Sequence, residues 1–549
     1  MESAVVSARY DFIVIGGGSS GCIAAARLAE RGFRVLLLEA GEEARANPYT
    51  LSADGFKDAF ASDATMWHRM SAPQAQCGDR ALYAGTGRGL GGSGGVNGMV
   101  YTRGDRRDFA QWPAGWQWED LEPAFSAVER KLGVRPRPPT PFAQRFLDSC
   151  VQAGFERKDG MNDGDLAGVA GCNDMNYSGE ERRSSYRAWL HDSTPRQLTV
   201  ACRAMAQRIV FDARSRAVAV EYLRDGQRQR VAVNREVVLC AGALETPKLL
   251  MLSGVGPRAD LEALGIACVL DAPGVGRHLQ DHPNVPLFYR ARVPVDFKYP
   301  QVYAFDAARR DPGAPRNEAP PDTCYVCYAA PASIKHSMLR MLPVLALPGR
   351  LHSIGALRSL LRGLVHLAFA LPPLKRFVRN LFGIVVILGK PRSRGSVRLQ
   401  SADPSVPARI DLGYFRDAAD RDVMEAAIDK ARRIAAQAPL VDAGSRTLSA
   451  GGRPIDRDKL WKWIHAGAMT TFHFCGTCRM GEDSESPVDP QLRVKGLSNV
   501  RVADASVFPE IPVSALNAPS MMVGYRVADF IGAMQPEAGT APSRMEVAV

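Results

Sequence analysis

Three spaced glycines and one carboxylate are the first groups in this chain whose types and spacing could do chemistry. Tyr10 to Gly41 reads YDFIVIGGGSSGCIAAARLAERGFRVLLLEAG, in which Gly16, Gly18 and Gly21 form a G-x-G-x-x-G turn. Glycines at that spacing give a tight turn, room for a pyrophosphate against bare backbone, and close packing of a helix on a strand, with free N–H groups at the helix start facing the anion. Glu39 stands eighteen residues past Gly21, where a carboxylate accepts hydrogen bonds from ribose hydroxyls. The chemistry this predicts is the holding of a dinucleotide.

The elements needed to position these groups are present in the right order. Apolar Phe12 to Ile15 predict a buried strand, Cys22 to Glu30 a helix, and Arg34 to Leu38 a second strand running into Glu39. A glycine-rich turn that arose by chance would lack this sequence of elements. Gly85 to Gly104 adds GTGRGLGGSGGVNGMVYTRG, with eight glycines among the fourteen residues from Gly85 to Gly98. Each costs backbone entropy in a regular element, so close approach to a flat or phosphorylated ligand explains the run better than a core element does.

Thr199 to Val210, Val218 to Tyr222 and Val231 to Leu239 read as strands, and Val237 to Leu252 repeats a strand, a small-residue turn and a helix. That repeat predicts a return to the dinucleotide domain. Near the end, Asn499 to Ala503 reads as a strand ending at Asp504, a second carboxylate placed for the cofactor. A helix from Ser520 to Ile531 would aim its N-terminal dipole at an electron-rich ring edge.

At 549 residues, 46% hydrophobic and 23% charged, the chain is long enough for two domains with their own cores. The first strand begins about ten residues in, which leaves no room for a signal peptide, so a cytoplasmic location is expected. Eleven cysteines lack paired or zinc-type spacing and suit a reducing compartment, and no metal site is expected. The net charge of +11 is mostly arginine spread along the chain. No nucleic-acid motif or aromatic and basic platform accompanies it, so nucleic acid is not an expected partner.

Residues 339–390 form an apolar and basic exception. Leu357, Leu360, Leu361, Leu364, Ala368 and Leu371 share one helical face while Arg358, Arg362 and His366 lie on another. Pro372 and Pro373 stop that helix, and Leu374, Phe377, Val378, Leu381 and Phe382 repeat the pattern beside Lys375, Arg376 and Arg379. No uncharged run reaches the ~20 residues a membrane span requires. Two readings stay open: docking on the inner face of a membrane, and an amphipathic pair packed on its own domain.

Together these stretches resemble the glucose–methanol–choline family of FAD oxidoreductases. Gly87 to Ala110 is similar to the family's first signature and Gly242 to Gly256 to its second. VGRHLQDHP at Val275 to Pro283 is similar to V-G-x-N-L-Q-D-H-P, with His278 in place of asparagine, and Pro391 to Pro404 resembles a substrate-domain strand. The choline-dehydrogenase-like alcohol dehydrogenases are the members it resembles most. The resemblance implies FAD, held without a covalent bond because no histidine stands in Gly91 to Gly95.

It also implies an α/β fold: a Rossmann-type FAD-binding domain from residues 1–150, 196–285 and 466–549, and a discontinuous α+β substrate-binding domain on an antiparallel sheet from 151–195 and 286–465. The cofactor contacts it carries over are Gly16, Gly18, Gly21, Glu39, Arg88, Gly91, Gly92, Asn97, Val210, Asp504 and Asn517.

In H-x-x-G-T-C-R-M-G the family's histidine acts near flavin N5, and here that residue is His473. It would take a hydroxyl proton while hydride leaves for the flavin. His191, His282 and His465 lack comparable support and read as structural. The second catalytic position falls on Ala515 of IPVSALNAP, which can neither donate nor accept through its side chain. Either Ser514 or Asn517 takes over, or the reaction does not use the usual pair.

The expected activity is oxidation of a hydrophobic alcohol to an aldehyde or ketone, with quinone or oxygen as electron acceptor. Lyase or light-driven decarboxylase chemistry, or an inactive FAD-bearing protein of lipid surfaces, are the alternatives Ala515 raises.

Overall fold

Six residues at the start of the chain, YDFIVI, have too little polar surface to face water on either side. In a computed structural model describing residues 9–310, 315–316, 319–347, 351 and 354–532, they form β1 (Tyr10–Ile15) inside a seven-stranded sheet. Helix α1 (Gly21–Glu30) covers it, and β2 (Val35–Leu38) pairs with it in parallel, Ile13 beside Leu36. The following polar excursion carries the short helix α2 (Phe56–Ala61).

The strand expected over Thr199 to Val210 is two strands. β3 (Leu198–Ala201) lies beside β2, and β4 (Ala204–Phe211) turns away from it. The break falls at Arg203, whose φ of +55° a strand cannot accommodate. β4, β5 (Ala217–Arg224) and β6 (Gln227–Leu239) form an antiparallel meander. β6 is long enough to serve twice: its first half pairs with β5, and its second runs parallel to β1, Ile13 beside Val237. The sheet order is therefore β3-β2-β1-β6-β5-β4. Helix α3 (Gly242–Leu252) leaves the end of β6, as a Rossmann-type unit requires.

The second sheet has eight strands and is almost wholly antiparallel. Its centre is β7 (Pro283–Arg290), β8 (Val302–Asp306), β9 (Thr323–Tyr328) and β10 (Leu381–Leu388), with Val169–Cys172 extending one side. Helix Pro141–Gln152 packs Phe142 and Phe146 into its core, and Met469–Thr470 pairs with β7.

Between β9 and β10 run α4 (Ala330–Ala346), α5 (Gly355–Ala368) and α6 (Pro372–Val378). Residues 348–350 and 352–353 of the apolar and basic stretch lie outside the described residues. Leu381 and Phe382, read above as the end of a helical face, are instead the first residues of β10. LFGIVVIL is rich in β-branched residues, and strand pairing on both edges overrides the helical spacing. The chain then returns to the first sheet, where β11 (Val500–Val502) pairs with β6 and helix α7 (Asn517–Gly532) packs on α1. That helix starts at Asn517, three residues earlier than expected.

Candidate active site

One cavity of about 540 Å³ runs between the two sheets, from Gly16 and Gly18 at the end of β1 to His473. Its walls at the first end are backbone. A Cβ at Gly16 would lie 2.4 Å from the Cys240 carbonyl oxygen, and one at Gly92 2.7 Å from the Gly18 Cα. Gly18 has only the Gly92 Cα within reach, at 3.9 Å, so bare chain faces the cavity there.

Glu39 lines this end and is nearly buried. Its carboxylate accepts from the N–H groups of Gly17 (2.7 Å), Gly41 (2.7 Å) and Gly89 (3.0 Å), tying the first glycine turn to the second glycine-rich loop. A carboxylate offers about four acceptor sites, so one remains for a ribose hydroxyl.

Asp504, at the end of β11, also lines the cavity. It accepts from the Gly242 N–H (2.8 Å), the Thr246 hydroxyl (2.6 Å) and the Ser506 N–H (2.8 Å), and burial raises its pKa. Asn517 opens α7 against the cavity; its Oδ1 accepts from Ser19 (2.7 Å), while its buried Nδ2 has no partner. That idle donor, beside bare glycine backbone and two buried carboxylates, fits the carbonyl edge and hydroxyls of a flavin dinucleotide.

Not every expected contact reaches the wall. Gly16, Gly18, Glu39, Gly92, Asn97, Asp504, Asn517 and His473 do. Gly21 lies behind it as a packing position, and Gly91 supports the turn through its N–H on the Gly17 carbonyl (2.8 Å). Arg88 is drawn away, stacked over Trp67 and donating to the Ala40 carbonyl (3.3 Å). Val210 is also misplaced: Ala204, Met205 and Ala206 line the cavity, and four further strand residues carry Val210 roughly 13 Å beyond them. Ser514 is buried away from the cavity, whose wall is Ala515. The Val513 N–H is bound to Asp108, which fixes the chain so that the residue two positions on faces inward.

The far end holds a residue passed over in the sequence. His282, fully buried, places its Nδ1 2.9 Å from Nδ1 of His473. Burial lowers the pKa of His473 to about 4 and that of His282 well below its usual value, so both imidazoles are neutral near neutral pH. His473 sits in a strained turn, since Phe472 before it has a φ of +63°.

Asp281 holds that turn. Its carboxylate accepts from the His473 N–H (2.7 Å) and from the hydroxyls of Tyr414 and Thr470. Burial pushes its pKa up to about 6 against the pull of those donors. Replacing Asp281 by Asn should cost about 2 kcal/mol of stability and slow cofactor reduction roughly tenfold, because an amide accepts fewer and weaker hydrogen bonds. Thermal unfolding and anaerobic stopped-flow of Asp281→Asn would measure both.

Between His473 and the protein surface the wall is aromatic and apolar: Phe60, Met66, Val100, Tyr303, Tyr328 and Phe472. Phe60 meets Phe472 edge to face at 5.7 Å. The polar groups of this arm include Lys57, whose pKa burial lowers to about 8, with Ser333, His336, Ser337 and Thr471. The carboxylates on the cavity wall, Glu39, Glu245 and Asp504, all belong to the cofactor end.

A cavity anchored on a dinucleotide turn, with a neutral imidazole at the start of its aromatic arm, suits a flavin-dependent oxidoreductase. Comparison with known proteins gives the family. The GMC oxidoreductase profiles match residues 10–284 and 391–524, and the chain belongs to that FAD-dependent family. It is 33% identical over 557 residues to an alcohol dehydrogenase [acceptor] of Pseudomonas putida, with 95% of each chain covered. To the choline oxidase of Arthrobacter globiformis it is 32% identical over 576 residues, covering 98% of this chain and 97% of the relative. Among solved structures, pyridoxine 4-oxidase from Mesorbium loti is similar with a TM-score of 0.82 at 27% identity, covering 96% of this chain and all of that one.

Proposed function

We propose that the chain oxidises a neutral, hydrophobic alcohol to the aldehyde or ketone, with His473 as the base. The observation that carries this reading is the neutral His473–His282 pair at the end of an aromatic arm. The two Nδ1 atoms face each other, so only one can carry a proton. With the proton on His473, Nδ1–H donates to His282 and Nε2 is left with a lone pair for the substrate hydroxyl. His282 then carries its own proton on Nε2. FAD, when bound, supplies the acceptor for the hydride that leaves the carbinol carbon.

The arm argues for the substrate class. A quaternary ammonium is favoured by a carboxylate beside its aromatic contacts, yet the wall of this arm offers the cation Lys57 and, among the described residues, no carboxylate. An apolar alcohol meets no such mismatch. Holoprotein made anaerobic should lose its oxidised-flavin absorbance with medium- or long-chain primary alcohols and keep it with choline. Reoxidation by a quinone or by oxygen would then identify the electron acceptor. Bleaching by choline alone would overturn the substrate class.

The pH dependence follows from the depressed pKa of His473. The base works when unprotonated, so activity is lost as pH falls through the folded value of about 4. The rate constant for flavin reduction should therefore stay flat from about pH 9 down to about pH 6, crossing the ordinary histidine value of ~6.5 unchanged. A fall centred near 6.5 would refute the assignment. Ala515 on the cavity wall favours a second reading, lyase or light-driven decarboxylase chemistry. Product formed from a carboxylic acid only under blue light, with no electron acceptor, would establish it.

A further inference from the structure

An amphipathic helix on a protein surface ordinarily turns its leucines inward, and α5 does the reverse. Leu360, Leu364 and Leu367 recur at one helical face and Leu371 follows just past the helix end; they are 61%, 52%, 65% and 54% exposed. On the inner side, Arg362 pairs with Asp63 at 2.9 Å, and Arg340 of α4 reaches the same carboxylate at 2.6 Å. Burial would raise the Asp63 pKa, but Arg362 and Arg340 outweigh it and hold the group near 2. Arg358 lies on the same side, 3.8 Å from Asp63. The helix is thus clamped to the body by its arginines, and its apolar stripe is left facing outward.

The charge around the stripe is one-sided. From Thr323 to Ala402 the chain holds twelve Lys or Arg residues and no Asp or Glu. The +11 excess expected to be spread along the chain thus resides in this stretch, because elsewhere the arginines are matched by carboxylates and the remaining chain is close to neutral. Lys375, Arg376 and Arg379, on and just after α6, are exposed beside the stripe, as is His366. Phe377, 39% exposed, extends the apolar surface among them.

We propose that the outer face of α5 and α6 docks on an anionic lipid surface, with the leucine stripe entering the headgroup region and the basic residues meeting lipid phosphates. The pattern combines the two forces that hold an interfacial helix, apolar burial and attraction to anionic lipid. A second copy of the chain is the poorer occupant. A two-fold contact sets the same patch against itself, and here that would oppose two sets of lysine and arginine from a stretch that supplies no Asp or Glu of its own. No helix among the described residues is long and apolar enough to cross a membrane, so the contact lies in the plane of the surface. The docked face also adjoins the substrate arm: α4, which packs against α5, lines the cavity through Ser333, His336 and Ser337.

The test is sedimentation of resting holoprotein with vesicles, measured without substrate, so that its result is separate from the proposed reaction. Vesicles of phosphatidylcholine with about 30% phosphatidylglycerol should carry the protein down, and pure phosphatidylcholine should carry at least tenfold less. Leu364→Glu with Leu367→Glu, and separately Lys375→Glu with Arg376→Glu, should each lower the partition at least tenfold while the flavin spectrum stays unchanged. Should the glutamate pair fail to retain FAD, Leu360→Gln with Leu371→Gln replaces it. Absence of binding to anionic vesicles, or binding indifferent to the leucine changes, would overturn the proposal. So would a concentration-dependent dimer that the leucine changes dissolve.

Discussion

His473→Ala is expected to slow flavin reduction by about two to four orders of magnitude while FAD stays bound, the range for losing a positioned general base. Retention of the cofactor follows from the geometry. The groups placed to hold it, Gly18, Glu39, Asp504 and Asn517, are tied to the first sheet and its helices, and none hydrogen-bonds to His473. The loss should appear in the chemical step, seen as slow anaerobic bleaching at saturating alcohol.

Removal of the ring also strands His282 Nδ1 in a buried site, at a cost of about 1–3 kcal/mol in stability. His473→Asn, which can still donate an amide hydrogen toward His282, should recover part of that stability and none of the rate. Normal bleaching by His473→Ala would show that the proton leaves by another route and would sink the base assignment.

The partner of that histidine shows where reading the sequence reaches its limit. His473 could be found because its surroundings, H-x-x-G-T-C-R-M-G, carry information within a few residues. His282 sits in an equally recognisable LQDHP, yet nothing local separates an ordinary buried core histidine from one that backs the ring on a cavity wall. The two rings meet because Gln280 bridges to Cys475 and Pro283 pairs with Thr470, contacts made across some 190 residues of chain. Long-range pairing of this kind leaves no periodic trace. Asp281 was hidden for the same reason: its role is visible only once Tyr414, Thr470 and the His473 N–H converge on it.

The first sheet was legible because β1, α1 and β2 follow one another within thirty residues and each shows its own period. Leu381 and Phe382 were misread because the spacing of Leu374, Phe377 and Val378 continues through them. The competing signal, the β-branched run from Ile384 to Ile387, lay just beyond. In α5 the two faces were legible, but their orientation was not. That orientation depends on Asp63, nearly three hundred residues upstream of Arg362.

The glycine turn at the start of the chain yields the other large effect, and two of its glycines should fail in different ways. A Cβ at Gly21 would lie 1.8 Å from the Gly16 carbonyl oxygen and 3.1 Å from the Cys240 side chain. The first obstacle is backbone in a turn that cannot retreat, because Gly16 itself has a φ of +103° and abuts the Cys240 carbonyl. Around it, Ile13, Val14, Cys22, Ile23 and Ala24 are completely buried. Gly21→Ala must therefore push α1 off the sheet, at a cost of several kcal/mol against a total stability of roughly 5–15 kcal/mol. Insoluble or apo protein is the expected product.

Gly18→Ala is different, since the nearest protein atom to its Cβ would be 3.9 Å away. The methyl group would instead occupy cavity space beside bare backbone, so this variant should fold with a near-normal melting temperature once stripped of cofactor, yet bind FAD at least tenfold more weakly. Gly32→Ala serves as the control: it has nothing within 4 Å and should cost only the ~1 kcal/mol strain of its positive φ. Equal loss of folding in the Gly18 and Gly21 variants would mean that the turn is a packing device alone. Weak FAD binding by a folded Gly18→Ala protein, beside a Gly21→Ala protein that fails to fold, would separate the cradle from the scaffold that holds it.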